Sequence, residues 1–555
     1  MVNKDEIAKQ FYDIAELMEI LDKNKFKVRA YKNAARNISS SDLDIMKLYE
    51  NDDLKSIDGV GDSTAEKIKQ YIEDGKIDYL EEIKKEVPDG LKDIFDLNGV
   101  GRKTAMKLYN KKGISNLDEL EEACQNGELR HMDGFGQKTE QNILDSIEYK
   151  RKFSGRYRID VAKNYSKQLV DYLKPHVDKI KVVGSLRRYK ETIGDIDILT
   201  TGDADKIMYN VRNYPKMEKV LVSGDTKTSI MMDNGLQLDV RVVDENSWGA
   251  AIQYFTGSKQ HNIKVRKEAQ NKGWTLNEYR LKDEDNDEWI AGKNEKNIYE
   301  SIGFDYIPPQ LREDIGEHKM ALNGKLPKLV EQSDIKGDLH LHTPYSDGNE
   351  SINELVKKAQ SLGYEYIGLA DHVRSFGDSM TIEKWQDRKE QIESIDSNIK
   401  IFDAAEIDIL TDGSLYNEEI PEELDFTIGA IHQKIDDDNW YERLENAFST
   451  GLIDIIAHPT GREIGQREGN THFDVRKFGD LCRDHNIIIE INSLPQRLDL
   501  RAKHIRQLDG VKYHIGTDSH GIGMMDYIEF GIGTAKKGML EKEQIVNTHP
   551  NSPLQ

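Results

Sequence analysis

Hydrophobic and polar positions change rhythm twice along the chain. Over the first 150 residues one short phrase recurs three times, as IDGVGDSTAEKI at 57–68, LNGVGRKTAMKL at 97–108 and MDGFGQKTEQNI at 132–143. Each reads apolar, polar, glycine, apolar, glycine and then a helical run, which predicts helices joined by tight glycine turns. From about 155 to 320, β-type runs alternate with helices. KIKVVGS (179–185), GDIDILTTG (194–202), VLVSG (220–224) and LQLDVRVV (236–243) read as strands, some with period two and some nearly continuous in apolar residues. IPPQLREDIGE (307–317) and NGKLPKLVEQSD (323–334) read as a domain exit and a polar linker. Beyond 335 the series KGDLHLH, EYIGLADH, KIFDAAEID, DFTIGAIH, IDIIAHP, IIIEINS and YHIGTDSH alternates with helical segments, and nearly every run closes on His, Asp or Glu. Seven strand candidates with ligand-type residues at their carboxyl ends predict an α/β barrel.

The three glycine phrases carry their own chemistry. Glycines flanking an apolar residue permit a turn whose backbone N–H groups open to solvent at a helix N-terminus, ready for a phosphate oxygen. A single Gly-x-Gly before a helix is ordinary capping. Three copies, through Gly59, Gly61, Gly99, Gly101, Gly134 and Gly136, make a helix-hairpin-helix array suited to the DNA backbone irrespective of base sequence.

Composition narrows the setting. At 555 residues the chain is too long for one core, and three or four domains are expected. The net charge of −23 counts against non-specific adhesion to nucleic acid, yet binding depends on where local cations sit. Two distant cysteines, Cys124 and Cys482, form neither a disulfide framework nor a zinc ribbon. A polar N-terminus and the absence of a long apolar run predict a soluble, cytoplasmic protein with no membrane association.

In GDIDIL, Asp195 and Asp197 are two apart, so on a strand they face one side and can bind cations jointly. Asp239 in LQLDVRVV offers a third carboxylate from another strand. Hard oxygen ligands suit Mg²⁺, and paired ions stabilise the attacking and leaving oxygens of phosphoryl transfer. The preceding GSLRR places Gly184, Ser185, Arg187 and Arg188 in a turn after a strand, a combination suited to a triphosphate.

GSLRR-x5-GDIDIL, LDVR and YFTGSKQHNIKVR (254–266) together resemble the family X DNA polymerases, the group containing DNA polymerase beta. The resemblance implies that Asp195 and Asp197 bind two Mg²⁺ or Mn²⁺ ions, with Asp239 on the catalytic one. It implies further that Ser185, Arg188 and Gly194 hold the triphosphate, that Tyr254, Phe255 and Gly257 shape the sugar pocket, and that Asn262 and Arg266 touch the minor groove. Tyr189 and Gln237 stand where the vertebrate enzyme has a Gly and an Arg. In the family's N-terminal domain a lysine forms a Schiff base with an abasic sugar, and its place in GVGDSTAEKI falls on Lys67. That lyase chemistry needs an amine that is partly neutral.

HLH puts His340 and His342 at one strand end, and Asp347 follows in YSDG. The later strand ends add His372, Glu406, His432, His458, Asp518 and His520. Nine such residues are too many to be structural, and mixed imidazole and carboxylate ligation suits Mn²⁺, Zn²⁺ or Fe²⁺. Several ions held together would lower the pKa of a bridging water and polarise a phosphodiester. GDLHLHTPYSDG, LADH, AAEID, GAIH, AHPTGR and TDSH are similar to the PHP domain, named for polymerase and histidinol phosphatase, and the nine residues match its trinuclear metal set. Arg462 and Arg497 are candidate phosphate contacts, with a surface salt bridge as the alternative.

The expected architecture is multidomain, α and α/β. Helical DNA-binding domains span 1–90 and 91–154, a nucleotidyltransferase palm with a mixed sheet 155–250 and a thumb-like subdomain 251–322. A linker (323–336) then leads to a PHP distorted (β/α)7 barrel at 337–555. This order resembles the bacterial and archaeal family X polymerases along essentially the whole chain. It implies a monomer that fills gapped or nicked DNA from dNTPs in base excision or break repair. The PHP domain then supplies 3′–5′ exonuclease activity, with AP endonuclease and 3′-phosphatase activities in some relatives. A PHP phosphatase of small esters and a non-catalytic DNA-binding scaffold are the rival readings. The three glycine phrases argue against the first, and the intact aspartates and ligands against the second.

Overall fold

The computed structural model describes residues 4–147 apart from 22, 41–44, 58, 87–90, 92–93, 95–99, 101, 131, 133–134, 138, 142 and 145–146. It also describes 156–550 and 554, apart from 376, 417–419, 422, 436–438, 465–468 and 471–472. The chain forms two compact units, Met1–Ser154 and Gly155–Gln555. No helix among the described residues is long and apolar enough to cross a membrane.

The first unit is helical. Helix α1 (Lys4–Ile20) buries Ile7, Phe11, Ile14, Ala15 and Met18, a stripe at helical spacing that packs on α2 (Lys25–Ser40). Helix α3 (Asp62–Asp74) follows the first glycine phrase. Gly59 has φ +79°, which a side chain resists, and a Cβ there would meet Asn37 Nδ2 at 3.1 Å. Gly61 caps the helix, and its carbonyl accepts from the N–H groups of Thr64 (3.0 Å) and Ala65 (2.9 Å). Gly136 does the same for Thr139 and Glu140 in the third phrase. Gly99, Gly101 and Gly134 lie outside the described residues.

The second unit begins with α4 (Ile159–Leu173) and a five-stranded mixed sheet. Its strands are β1 (Lys179–Val182), β2 (Asp195–Thr201), β3 (Met217–Ser223), β4 (Lys227–Met232) and β5 (Gln237–Val242), in the order β1-β2-β5-β4-β3. Only the β2–β5 pair is parallel. Strand β4 is an addition to the strands read from the sequence. It buries Thr228 and Ser229, so its apolar signal is weak. Helices α5 (Trp248–Thr256) and α6 (Lys259–Asn271) lead into a small antiparallel sheet of β6 (Trp274–Leu276), β7 (Leu281–Asp283) and β8 (Trp289–Ala291).

All seven late runs are parallel strands: β9 (Gly337–Leu341), β10 (Tyr366–Val373), β11 (Lys400–Asp408), β12 (Phe426–Ala430), β13 (Ile455–Ile456), β14 (Ile488–Asn492) and β15 (Tyr513–Gly516). They pair in chain order, and a bridge between Leu341 and Ser519 brings the last strand back to the first, so the barrel is nearly closed. Period-two alternation sorts the side chains. Tyr366 and Ala370, Phe402 and Ala404, and Phe426, Ile428 and Ala430 fill the interior, while Ile367, Leu369, Ala405 and Ile407 face the outer helices. His372, Glu406 and His432 continue the interior parity at the strand ends, so the pattern that builds the core also aims these side chains at one point. The outer helix Ile352–Leu362 buries Ile352, Leu355, Val356 and Ala359 and starts with a capping box between Ser351 and Glu354. The segment expected as a linker is packed: the N–H of Val330 donates to the carbonyl of Leu540 at 3.1 Å, and Val330 is buried.

Candidate functional site

In the palm, β2 and β5 run in register with Asp197 opposite Asp239 and Asp195 opposite Gln237. Asp239 is buried, its Oδ2 lies 2.8 Å from Lys227 Nζ, and its Oδ1 accepts from Gln237 Nε2 at 2.8 Å. Burial raises its pKa, but these partners outweigh it and hold Asp239 below the usual carboxylate value. Asp197 is pushed up to about 7 by burial and by the charges of Asp195 and Asp239. Three carboxylates this close call for a cation, and two in-register strands present them as hard oxygen donors. Gly184, at φ +66°, starts the turn behind them; a Cβ there would sit 2.6 Å from Asp197 Oδ2. Ser185 Oγ is buried without a hydrogen-bond partner, which suits a ligand oxygen.

The two arginines of GSLRR divide their work. Arg187 is held by Glu295 at 2.8 and 2.7 Å and by Thr256 Oγ1 at 2.6 Å, so it braces the turn. Arg188 donates through Nε to Glu313 at 2.9 Å and through Nη1 to the Thr256 carbonyl, and it lines a cavity of about 940 Å³. Asp195, Asp197, Tyr254, Phe255, Gly257, Asn262 and Arg266 line the same cavity. Tyr254 and Phe255 meet edge-on with ring centres 5.1 Å apart. Asn262 is buried and satisfied internally, accepting from Gln253 Nε2 (2.8 Å) and donating to the Tyr254 carbonyl (2.7 Å). Gly194 is exposed on the approach to β2, and a Cβ there would lie 3.1 Å from Arg156 Nη1.

At the carboxyl end of the barrel, five imidazoles converge on Glu406. His372 Nδ1 lies 2.7 Å from its carboxylate, His458 Nε2 3.2 Å, His432 Nε2 3.5 Å, His340 Nε2 3.6 Å and His342 Nε2 3.7 Å. Asp518 sits 3.2 Å from His342, and Asp347 lies 3.2 Å from His520 and 3.5 Å from His372. Three groups with metal-ligand proximity overlap here: His340, His342 and Asp518; His342, Asp347, His372 and His520; and His372, Glu406 and His432. Among the described residues, His340 Nε2, both ring nitrogens of His342, His372 Nδ1 and Glu406 Oε2 are buried and make no hydrogen bond of good geometry, His372 Nδ1 and Glu406 Oε2 included despite their 2.7 Å separation. Orphaned donor atoms of this kind fit metal ions that need them as ligands. Burial and the adjacent His372 push His342 down to about 4, whereas at His520 and His340 burial is outweighed by the surrounding carboxylates, which push those two imidazoles up, His520 to about 9. His458 and Asp518 have φ of +29° and +51°, unusual values for side-chain-bearing residues and typical of strained functional positions.

Two carboxylates that the sequence reading left unassigned orient these ligands. Glu490 Oε1 lies 2.6 Å from His340 Nδ1, and its Oε2 accepts from the His458 N–H at 2.9 Å. Asp408 Oδ1 lies 2.6 Å from His432 Nδ1. Each leaves the opposite ring nitrogen for a metal. Both stand in the strand runs IIIEIN and AAEID, where an acidic residue in an apolar strand was the available signal.

Four family models match the chain: Helix-hairpin-helix domain (2–77), SAM-like Helix-hairpin-helix tandem (91–148), DNA polymerase beta thumb (251–313) and PHP domain (338–493). The chain is 34% identical to the DNA polymerase/3'-5' exonuclease PolX of Bacillus subtilis (strain 168), across 98% of this chain and 97% of that protein. It belongs to the family X DNA polymerases that carry a PHP domain. Rattus norvegicus DNA polymerase lambda is 26% identical over 54% of this chain and 56% of its own length. A Repair DNA polymerase X of African swine fever virus is 27% identical over 29% of this chain and 95% of its own.

Within this family X chain, some sequence-based assignments move. Arg462, a candidate phosphate contact or surface pair, is buried, and both its terminal nitrogens donate to Glu191 of the palm, at 2.9 and 2.6 Å. It joins two domains. Arg497 stays near the barrel cluster, 3.9 Å from Asp518 Oδ2. Tyr189 adopts φ +53°, the conformation for which glycine is suited, and its ring packs on the barrel-side helix α7 (Ile528–Lys537), where a Cβ on Gly533 would meet it at 2.2 Å. In the first unit, Lys67 donates to Ser63 Oγ (3.0 Å) and lies over the rings of Tyr79 and Tyr31 at 5.2 and 5.9 Å. Burial holds its pKa below that of an ordinary lysine.

Proposed function

We propose that this protein is a gap-filling DNA polymerase with a separate 3′–5′ exonuclease in its PHP barrel. The observation that carries the reading is the in-register placement of Asp197 and Asp239 beneath Gly184, with Asp195 beside them on the wall of a nucleotide-sized cavity. Asp195 and Asp197 would hold two Mg²⁺ or Mn²⁺ ions and Asp239 the one beside the primer end. Those ions supply charge neutralisation for the attacking and leaving oxygens. In the reaction a bond forms from the primer 3′ oxygen to the α-phosphorus of a dNTP, the bond to the bridging oxygen breaks, and pyrophosphate leaves. Ser185, Arg188 and Gly194 hold the phosphates. Tyr254, Phe255 and Gly257 shape the sugar pocket, and Asn262 and Arg266 face the base pair from the minor groove.

In the barrel, His340, His342, Asp347, His372, Glu406, His432, His458, Asp518 and His520 would hold up to three ions, Mn²⁺, Zn²⁺ or Fe²⁺, which supply a water nucleophile near neutral pH. Glu490 and Asp408 fix the tautomers of His340 and His432. The glycine turns at Gly59, Gly61 and Gly136 grip the backbone of gapped or nicked DNA, with Gly99, Gly101 and Gly134 assigned to the same role from the repeated phrase in the sequence. The functional division follows the ranges 1–90, 91–154, 155–250, 251–322, 323–336 and 337–555, in a monomer working in the cytoplasm in base excision repair.

The test is a pair of substitutions. Asp195→Ala abolishes nucleotide addition on a one-nucleotide gap and leaves metal-dependent 3′ digestion, and His340→Ala does the reverse. Loss of both activities from either variant in a folded chain would refute the two-site reading.

A further inference from the structure

The cavity beside Asp195 is lined by nine Lys and Arg side chains against four Asp and Glu, in a chain whose net charge is −23. Four of the nine, Arg501, Lys503, Arg506 and Lys537, come from the barrel domain. The first three flank or occupy a short helix, Ala502–Ile505, and Lys537 ends α7. The two elements are tied together: Arg506 Nη1 donates to the Lys537 carbonyl at 2.7 Å, and a Cβ on Gly538 would meet Ile505 at 2.5 Å.

Lys537 Nζ in turn donates to the carbonyl of Arg188 at 3.3 Å, behind the GSLRR turn. It shares one carboxylate, Glu313, with Arg188 and Lys190: the three cations lie 3.6, 2.9 and 2.9 Å from it. One anion therefore serves three cations. The other carboxylates on the wall are committed, Glu191 to Arg462 and the two aspartates to the metal-ligand set. Lys503 is exposed on the rim and has no carboxylate within ion-pair distance among the described residues. An excess of cations along one wall favours a polyanion there. Lys537 is itself buried, and that burial pushes it down to about 8.

We infer that the PHP domain builds the outer wall of the polymerase phosphate pocket. Lys503, with Arg501 and Arg506, forms a subsite for a polyphosphate, namely the β- and γ-phosphates of the incoming nucleotide and the pyrophosphate released from it, while Lys537 positions the turn that carries Arg188. The inference rests on the reading of this cavity as the nucleotide pocket. It makes the barrel part of the polymerase site as well as the seat of a second activity.

Full-length Lys503→Glu and Lys503→Arg test it, with dNTP KM, kcat and pyrophosphate inhibition measured in gap filling, and 3′ digestion and thermal unfolding as controls. Lys503→Glu is expected to raise dNTP KM and the pyrophosphate inhibition constant about tenfold, the effect of one charge-assisted contact. Lys503→Arg keeps both near wild type, and 3′ digestion is unchanged in each. Values within twofold of wild type for Lys503→Glu, in a preparation whose wild type fills gaps, overturn the inference alone. A wild type that adds no templated nucleotide overturns the reading of the cavity and the inference with it.

Discussion

Glu490 offers the sharpest test of how the barrel site is organised. Its side chain is fully buried, one oxygen faces His340 Nδ1 at 2.6 Å, and the other accepts from the His458 N–H (2.9 Å) and Asn492 Nδ2 (3.1 Å). One carboxylate therefore orients two of the nine ligand residues. Glu490→Gln preserves volume and one acceptor but replaces charged with neutral hydrogen bonding. A bond to a charged group contributes about 1.5–3 kcal/mol and a neutral one about 0.5–1.5, so the change costs roughly 1–2 kcal/mol of ligand orientation. That corresponds to about 5- to 30-fold in metal affinity, within the usual range for outer partners of ligating histidines. Glu490→Ala is less informative, because it strands two buried donors at about 1–3 kcal/mol each and threatens the fold. The assay is digestion of a 5′-labelled single strand across a divalent-metal titration, with gap filling measured on the same preparation. Glu490→Gln should shift the half-saturating metal concentration upward by that factor and leave gap filling within twofold. An unchanged titration, or a parallel fall in both activities, would refute the reasoning.

The remaining predictions concern the domain contact and the first unit. Arg462→Met removes a bidentate pair to a partly exposed Glu191 and should lower unfolding stability at pH 7 by about 1–2 kcal/mol, discounted for that exposure. Burial raises the pKa of Glu191, but the Arg462 hydrogen bonds and charge outweigh it and depress it below the unfolded value. The pair's contribution is thus present above the ordinary glutamate pKa and lost as pH falls through the depressed one. The gap between wild type and variant should narrow progressively as pH falls below the ordinary glutamate range, and a constant gap would contradict the assignment. For Lys67, Lys67→Ala should abolish borohydride trapping on DNA bearing a 5′ deoxyribose phosphate while gap filling persists. The wild-type trapping rate should rise with pH and level off below the value for a free lysine, because only the neutral amine attacks. Undiminished trapping by the variant would exclude Lys67.

What the sequence made legible follows from how local the signals are. The seven barrel strands and the nine His, Asp and Glu side chains gathered at their ends could be read because each strand carries both the apolar run and the terminal His, Asp or Glu within a few residues. The three palm aspartates were readable for the same reason. Strand β4 was not, since Thr228 and Ser229 are polar yet buried by neighbouring strands. Strands β6, β7 and β8, three residues each, are too short to show a period. Glu490 and Asp408 were visible only as acids in apolar runs, because the imidazoles they orient lie on other strands or beyond them. Lys503 and Lys537 look like ordinary helix-end cations. Their place on the cavity wall exists only once α7 packs against the palm.

Tyr189 and Arg462 explain why that packing falls where it does. The segment between the GSLRR turn and β2, residues 188–195, meets the barrel domain at three points. The Arg188 carbonyl takes Lys537, the Tyr189 ring lies on Gly533, and Glu191 takes Arg462. A glycine at 189 would adopt the positive φ more readily; the tyrosine holds it at a backbone cost of about 1–2 kcal/mol and makes the contact with α7. Arg462 stands four residues after His458 of the barrel cluster, and Glu191 four residues before Asp195 of the palm. A single bidentate pair therefore joins the loop behind one carboxylate cluster to the loop leading into the other. With the Lys537 and Tyr189 contacts, the pair couples the position of the palm aspartates to that of the barrel cluster.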